Sequence, residues 1–306
     1  MSVRARLTWD QLPEPIRAEV TARTGPVVAV VSHEGGYSPG LASTLTTADG
    51  DRVFVKAVSV GYHSRSAELY RAEARVNALL PAGVPAPRMR WTLDDGEWIV
   101  IGFDAADGEL SLTWDAATLA EVLRLYEELA ELPGPAGLPT VPHELATLTG
   151  WHTALEDGSD LGSWGPWVVE HATALSAVAD RFWERTGGDR LVHLDARRDN
   201  MVRLGGRVLL VDWPYAAVGA PWVDLLIQLP SLTVEGGGEP GPIWERAGVS
   251  GLADPDDVTA VLAGLTGYLV CASVQPPPVG VPHVRAFQRA QGEVALRWLR
   301  ERWGDP

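Results

Sequence analysis

Residues 191–200 read Leu-Val-His-Leu-Asp-Ala-Arg-Arg-Asp-Asn, and this stretch decides how the rest of the chain is interpreted. A Gly-Gly turn follows between two short apolar runs, and the second run leads into Val-Asp-Trp at 211–213. The pattern is a loop with the spacing His-x-Asp-x-x-x-x-Asn, then a β-hairpin and a strand that ends in aspartate. A tight loop and a hairpin would bring Asp195, Asn200 and Asp212 to one edge of a lobe.

Phosphoryl transfer requires these residue types. A carboxylate must orient the attacking hydroxyl and accept its proton, and Mg²⁺ needs oxygen ligands. We therefore expect Asp195 to be the catalytic carboxylate, and Asn200 and Asp212 to be the metal ligands. Any one of these aspartates could alone be a turn or cap residue, so the prediction depends on the ordered set.

The segment resembles the aminoglycoside phosphotransferase family, also called choline-kinase-like kinases, of the protein-kinase-like superfamily. Members commonly have His-Gly-Asp-x-x-x-x-Asn and then Ile-Asp-Trp-x-x-Ala-x-x-Gly-x-Pro-x-x-Asp-Leu. Residues 211–225 read Val-Asp-Trp-Pro-Tyr-Ala-Ala-Val-Gly-Ala-Pro-Trp-Val-Asp-Leu. The resemblance implies that Asp195 is the base, that Asp224 braces the catalytic loop backbone and that His193 orients this loop. Leu194 replaces the usual glycine, so we expect a slightly different loop shape.

Arg197 lies two residues after the predicted base, where protein kinases carry a lysine that faces the transferred phosphate. We expect its guanidinium to help neutralise the γ-phosphate. A solvent-facing arginine is the alternative interpretation of this position.

The first hundred residues predict a small sheet with one inserted helix. Strand-like runs occupy 27–31, 41–47, 52–58 and 98–103, and residues 64–80 follow a helical period. The Ala-Asp-Gly sequence between the second and third runs is a hairpin signal.

After this sheet the chain becomes mainly helical, with later helices expected near 221–230, 256–272 and 283–302. With the resemblance, the pattern predicts an α+β, bilobal protein-kinase-like fold. Residues 1–103 would form a small antiparallel-sheet lobe that binds nucleotide, and 104–306 a mainly helical lobe for catalysis and acceptor binding.

Lys56 and Glu73 are the predicted nucleotide-binding pair. Lys56 lies in the run 52–58, and Glu73 lies on the apolar stripe of the next helix. A carboxylate on a buried stripe needs a partner, because an unpaired buried charge is very costly. In the family, a pair at these positions holds the α- and β-phosphates of ATP. A plain structural ion pair or a snorkelling lysine is the alternative.

A glycine-containing loop at 33–40 precedes this lysine. In a kinase-like lobe such a loop covers the phosphates, so Gly36 would allow close backbone approach and Ser38 would donate a hydrogen bond. Taken alone, the loop also fits a surface turn, and its glycines do not match a Rossmann or Walker A pattern. Phe103 and Asp104 resemble the end of the strand and hinge that hold the purine.

Composition and charge bear on the binding partners and on the location of the protein. The net charge of −15 argues against a nucleic-acid binder and is compatible with a cationic substrate, although solubility alone also explains it. No apolar run approaches the ~20 residues of a membrane span. Cys271 is the only cysteine, which fits a reducing cytoplasm.

The sequence therefore predicts a kinase that transfers the γ-phosphate of ATP or GTP, with Mg²⁺, to a hydroxyl of a small acceptor, with a cationic one such as an aminoglycoside or amino-alcohol as a candidate. A catalytically silent, kinase-like nucleotide- or metabolite-binding protein is the alternative. A protein kinase is disfavoured because no Asp-Phe-Gly or Ala-Pro-Glu follows the loop. The family name alone suggests antibiotic resistance. Acidic loop residues could attract an amine or be solvated loop charges: Glu156, Asp157, Asp160, Glu235 and Glu239.

Overall fold

The chain divides into two compact units in the computed structural model, and the first unit is discontinuous in sequence. It combines Met1–Leu110 with Asp199–Tyr215, and the second unit holds Ser111–Arg198 and Ala216–Pro306. The lobe boundary near residue 104 stays a prediction. The structure describes residues 6–33, 38–109, 113–145, 149–277 and 283–304.

The secondary structure mixes strands and helices. The strands are β1 (Val27–Ser32), β2 (Leu41–Thr47), β3 (Arg52–Ser59), β4 (Met89–Asp94), β5 (Trp98–Asp104), β6 (Gly108–Glu109), β7 (Arg190–Val192), β8 (Met201–Leu204), β9 (Arg207–Leu210) and β10 (Ala217–Gly219). The α-helices are α1 (Glu14–Thr24), α2 (Val60–Asn77), α3 (Ala116–Ala130), α4 (Val141–Leu145), α5 (Gly150–Glu156), α6 (Pro166–Ala179), α7 (Phe182–Arg185), α8 (Val223–Val234), α9 (Pro240–Arg246), α10 (Pro255–Ser273) and α11 (Val284–Trp303). Short 3₁₀ helices lie at Trp9–Gln11, Leu161–Trp164, Arg198–Asn200 and Gly248–Leu252.

The first unit is built on a five-stranded antiparallel sheet with the order β1-β2-β3-β5-β4. Its two faces have separate cores, because successive side chains of a strand point to opposite faces. Val53 and Val55 of β3 pack with residues of α1. Val58 packs with Tyr70 of α2 on the other face. Lys56 alternates with Val55 and therefore lies on the α2 face.

Helix α2 begins four residues earlier than its sequence pattern predicts. The hydroxyl of Ser59 caps its start by accepting a hydrogen bond from the N–H of Tyr62 at 3.0 Å. His63 then has non-helical backbone angles, with φ −159° and ψ 92°. The regular helical period starts only after this break, which is why the sequence indicates a start at residue 64.

Helix α10 is the central helix of the second unit. It packs against α5, α6, α7, α8 and α11, and most of its side chains are buried. Its start is fixed by Pro255 in the first turn and by Asp254, whose carboxylate accepts a hydrogen bond from the N–H of Asp256 at 2.8 Å. Within the described ranges, no helix combines the length and the hydrophobicity that crossing a bilayer requires.

Candidate active site

Lys56 is the only lysine of the chain, since one lysine and 24 arginines make up its 25 basic side chains. Its ammonium lies 2.9 Å from each carboxylate oxygen of Glu73 on α2. The exposed fractions of the two residues are 9% and 3%. The Tyr70 ring is a further neighbour, with its centroid 5.4 Å from the ammonium. At this depth each charge needs the other, because an isolated buried ion is very costly.

Asp212 presents a second carboxylate to the same ammonium, through its Oδ1 atom. Asp212 follows the end of β9 and has a φ of 61°, a left-handed conformation that aspartate tolerates better than most residues. Its side chain is 39% exposed, whereas that of Glu73 is 4% exposed. The ammonium of Lys56 therefore contacts one shielded and one accessible carboxylate, and the three charges sum to −1.

The hairpin of β8 and β9 joins Asn200 to the segment that carries Asp212. The carbonyl of Asn200 accepts a hydrogen bond from the N–H of Val211 at 2.9 Å, beyond the paired residues of the two strands. Gly205 and Gly206 make the turn, with φ values of 59° and 76° that favour glycine. Asn200 and Asp212 thus lie on adjacent segments at the open end of the hairpin.

The predicted catalytic loop follows β7 in the second unit and is fixed by Asp224. The carboxylate of Asp224 accepts hydrogen bonds from the N–H groups of His193 and Leu194, both at 2.7 Å. The Nδ1 atom of His193 accepts a hydrogen bond from the N–H of Asp195 at 3.2 Å. His193 and Asp224 are both buried. Both therefore hold backbone groups next to Asp195.

Leu194 has a φ of 64°, the left-handed conformation that glycine adopts without strain. A non-glycine residue held there costs of order 1–2 kcal/mol, and such strain persists only where the surroundings impose it. Here the hydrogen bond from the N–H of Leu194 to Asp224 imposes the conformation. The loop therefore has glycine-type backbone geometry in spite of its leucine.

Arg197 forms an ion pair with Asp195. The side-chain Nε atom of Arg197 donates to Oδ1 of Asp195 at 3.0 Å, and the backbone N–H of Arg197 donates to the backbone carbonyl of Asp195 at 2.8 Å. The two side chains are only partly exposed. The guanidinium of Arg197 is therefore directed at the predicted base and is not a solvent-facing group in this structure.

The acidic loop residues mostly have local partners. Asp157 accepts two hydrogen bonds from Ser159, and Asp160 caps a short helix by accepting one from Ser163. Glu235 is paired with Arg198 at 3.3 Å and accepts a hydrogen bond from the indole of Trp114 at 3.0 Å. Glu239 lies 3.5 Å from Arg297. These contacts favour structural roles for these four carboxylates.

The remaining predicted nucleotide contacts are less defined. Gly36 lies outside the described residues. The hydroxyl of Ser38 accepts a hydrogen bond from the N–H of Gly40 at 3.4 Å. Phe103 is buried in the core of the first unit, and Asp104 is bound by Nε of Arg90 at 2.6 Å. Contact of Ser38, Phe103 or Asp104 with a nucleotide stays a prediction.

Asp224 gives the site a pH-dependent component. The pKa of Asp224 is raised from its ordinary 3.8 to about 6: burial is the largest cause and the charge of Asp195 adds to it, while the two N–H donors lower the pKa. Protonation of Asp224 therefore favours the folded state at low pH, and this stabilisation is lost as the pH rises through about 6.

We expect the unfolding free energy of the natural chain, relative to Asp224→Asn, to increase by about 1 kcal/mol between pH 7 and pH 5. Urea unfolding of both proteins at the two pH values measures this difference. Asparagine does not titrate, so the variant removes only the contribution of this carboxyl. A difference that does not change with pH would contradict the buried, raised pKa.

Comparison of the sequence with known families identifies a family model that covers most of the chain. The model of a family described as "Phosphotransferase enzyme family" (APH) matches residues 31–259, which is more than half of the 306 residues. The match includes strands β2 to β5 of the sheet, the catalytic loop and the β8–β9 hairpin. A search of curated proteins finds no match.

Solved structures with a similar fold include several small-molecule kinases. A thermostable mutant of the aminoglycoside phosphotransferase APH(4)-Ia, in a ternary complex with ADP and hygromycin B, has a TM-score of 0.61 and 14% identity over 92% of this chain and 97% of the other. The choline kinase LicA from Streptococcus pneumoniae has a TM-score of 0.60 and 13% identity over 94% and 99%. A putative fructosamine-3-kinase from Haemophilus somnus has 0.57 and 13% over 91% and 96%. At such low identities the similarity shows the fold alone, and it confirms the predicted α+β, kinase-like fold.

Proposed function

Because the chain belongs to the phosphotransferase enzyme family, we propose that it transfers the γ-phosphate of ATP or GTP to a hydroxyl group of a small molecule. The observation that carries the proposal is the position of the chain's one lysine, which is buried between a shielded and an accessible carboxylate. Every other basic position has arginine. Position 56 therefore has a compact ammonium where the chain otherwise uses a planar guanidinium, and a lysine can bind phosphate as a point charge.

In this proposal Lys56 binds the α- and β-phosphates, and Glu73 holds the ammonium in place. An ammonium has three N–H donors, and that of Lys56 donates to both carboxylate oxygens of Glu73 and to one of Asp212. A phosphate oxygen would replace the carboxylate of Asp212 at the ammonium. Glu73 would keep its ion pair with Lys56, because it is buried and water cannot take the place of the ammonium as its partner.

The donor set fits Mg²⁺. Lys56, Glu73 and Asp212 carry a net charge of −1, and the accessible carboxylate of Asp212 and the side-chain amide of Asn200 would supply oxygen ligands of the kind that Mg²⁺ prefers. Among the described residues, no group of three or more His, Cys, Asp and Glu side chains could hold a metal. Such a sparse protein donor set suits an ion that takes its other ligands from phosphates and water. When bound, Mg²⁺ would neutralise negative charge on the phosphates.

Asp195 is the proposed general base. The acceptor oxygen forms a bond to the γ-phosphorus, the bond from this phosphorus to the β–γ bridging oxygen breaks, and the acceptor proton passes to Asp195. Arg197 is the proposed partner of the γ-phosphate. Its movement from Asp195 to the phosphate would release the carboxylate for the acceptor hydroxyl.

A small hydroxylated amine is the proposed class of acceptor. The similar structures include kinases whose names refer to choline, fructosamine and an aminoglycoside, and hygromycin B is bound to one of them. The net charge of −15 favours the approach of a cation. The acidic loop residues give little further support, since four of the five have partners in their own unit.

The test combines labelling with turnover. An acyl-phosphate derivative of ATP transfers its acyl group to an amine within reach, and the chain has one side-chain amine, at Lys56. We expect this probe to acylate Lys56, and excess ATP or GTP to prevent the reaction. The labelled peptide is identified by mass spectrometry, with the arginine variant Lys56→Arg as the unreactive control.

Turnover is measured with radiolabelled ATP and GTP, in the presence of Mg²⁺, against a panel of amino-alcohols, amino sugars and aminoglycosides. We expect transfer of the γ-phosphate to at least one of these acceptors. If nucleotide prevents the labelling of Lys56 but no acceptor receives phosphate, the result would support the catalytically silent alternative. Labelling that nucleotide does not prevent would contradict the proposed nucleotide site.

A further inference from the structure

A buried tyrosine contacts the catalytic loop just after Asp195, whereas Asp224 contacts the loop just before it. The hydroxyl of Tyr126 on α3 lies 3.1 Å from the carbonyl oxygen of Ala196, the residue that follows Asp195. The same hydroxyl is hydrogen-bonded to the side-chain amide of Gln228 on α8. Tyr126, Ala196 and Gln228 are all buried and all belong to the second unit.

The hydrogen-bond arrangement follows from counting protons. A phenol has one proton, so Tyr126 cannot donate both to the carbonyl of Ala196 and to the amide oxygen of Gln228. Within the described part of the chain, the buried Nε2 atom of Gln228 has no hydrogen-bond partner. Turning the amide by 180° exchanges its oxygen and nitrogen at no steric cost. The nitrogen of Gln228 then donates to Tyr126, and Tyr126 donates its proton to Ala196.

The surroundings keep this proton on the tyrosine. Burial raises the pKa of Tyr126 well above 10, and the negative charge of Asp224 raises it further. The phenol is therefore a neutral donor over the whole pH range in which a kinase is assayed. A neutral donor also avoids placing a second buried negative charge beside Asp224.

We propose that Tyr126, supported by Gln228, is a positioning residue for Asp195. Asp224 holds the N–H groups before Asp195, at His193 and Leu194, and Tyr126 holds the carbonyl after it. The backbone is thus tied on both sides of the residue that carries the carboxylate. The proposal rests on the proposed function for the role of Asp195, but the tie itself is a property of the fold.

The test is Tyr126→Phe, which removes the donor and keeps the ring. We expect kcat for phosphoryl transfer to fall about 10-fold with an unchanged KM for nucleotide, because a displaced carboxylate affects the chemical step and not nucleotide binding. Tyr268→Phe is the matched control, since the Tyr268 hydroxyl also contacts a glutamine amide, that of Gln288, in the same unit. This control is expected to leave kcat unchanged.

A double-mutant cycle separates positioning from general damage to the fold. If Tyr126 acts through Asp195, Tyr126→Phe lowers kcat in the natural chain and has no further effect in Asp195→Asn. An equal loss in both backgrounds would overturn the proposal. Gln228→Met, which keeps the shape and removes the amide, is expected to lower kcat in the same direction by a smaller factor. It replaces the first variant if Tyr126→Phe does not fold.

Amide hydrogen exchange tests the tie without any turnover. We expect the N–H groups of 194–197 to exchange about 10-fold faster in Tyr126→Phe than in Tyr268→Phe, because a loop that has lost one of its ties opens more often. Unchanged exchange and unchanged kcat would overturn the proposal. An absence of phosphoryl transfer in the natural chain would instead contradict the proposed function, and the exchange result would still decide whether Tyr126 holds the loop.

Discussion

Replacing Asp195 with asparagine is expected to lower kcat by about 10²–10⁴-fold, the range typical of losing a general base. Asparagine keeps the shape of the side chain but cannot accept the proton of the acceptor hydroxyl. The affinity for nucleotide should be largely retained, because Lys56, Asn200 and Asp212 are unchanged. Steady-state kinetics with the best acceptor of the panel, together with calorimetric titration of nucleotide, measure the two effects separately.

The matched control for this variant is Asp189→Asn. It makes the same chemical change and the same change in net charge, at an exposed residue just before β7 whose carboxylate pairs with the neighbouring Arg190 at 3.3 Å. We expect its kcat to stay within about 2-fold of the natural chain, since exposed ion pairs contribute little. A kcat for Asp195→Asn that matches this control would remove Asp195 from the chemistry. Asp195 would then be a structural partner of Arg197.

The parts of the fold that sequence reasoning found are those with a strong local signal. Four strands of the five-stranded sheet are regular apolar runs in the sequence. Their predicted bounds differ from those of β1, β2, β3 and β5 by at most one residue. Helix α1 has a weak signal, because only Ile16 and Val20 of its side chains are buried. Strand β4 is an edge strand with no fully buried residue, so it lacks the apolar and polar alternation that indicates a strand.

The candidate site shows the same division. The catalytic loop and the hairpin could be identified because their residues are close together in sequence. The pairing of Lys56 with Glu73 could be inferred because the helical stripe required a partner for a buried carboxylate. Tyr126 gave no such signal, since a tyrosine on an apolar helix face is most simply a core residue. Its partners are 70 and 102 residues away in the sequence, and only the folded structure brings them to its hydroxyl.

Replacing Lys56 with methionine is expected to affect both stability and catalysis. Methionine fills a similar volume but leaves the carboxylate of Glu73 buried without its cation. Breaking a buried pair in this way costs about 3–5 kcal/mol. Catalysis loses a charge at the phosphates, so we expect kcat/KM to fall by about 10²–10³-fold. Urea unfolding and transfer kinetics measure the two losses.

The double variant Lys56→Met, Glu73→Met distinguishes a functional lysine from a plain structural ion pair. Two methionines of similar volume remove both buried charges together, and such replacements are often neutral or stabilising. We therefore expect the double variant to recover most of the lost unfolding free energy while transfer stays at the level of Lys56→Met. Asp212 does not oppose this recovery, because its side chain is accessible to water. If transfer returned with stability, the lysine would serve only to neutralise Glu73, and the nucleotide site would have to be placed elsewhere.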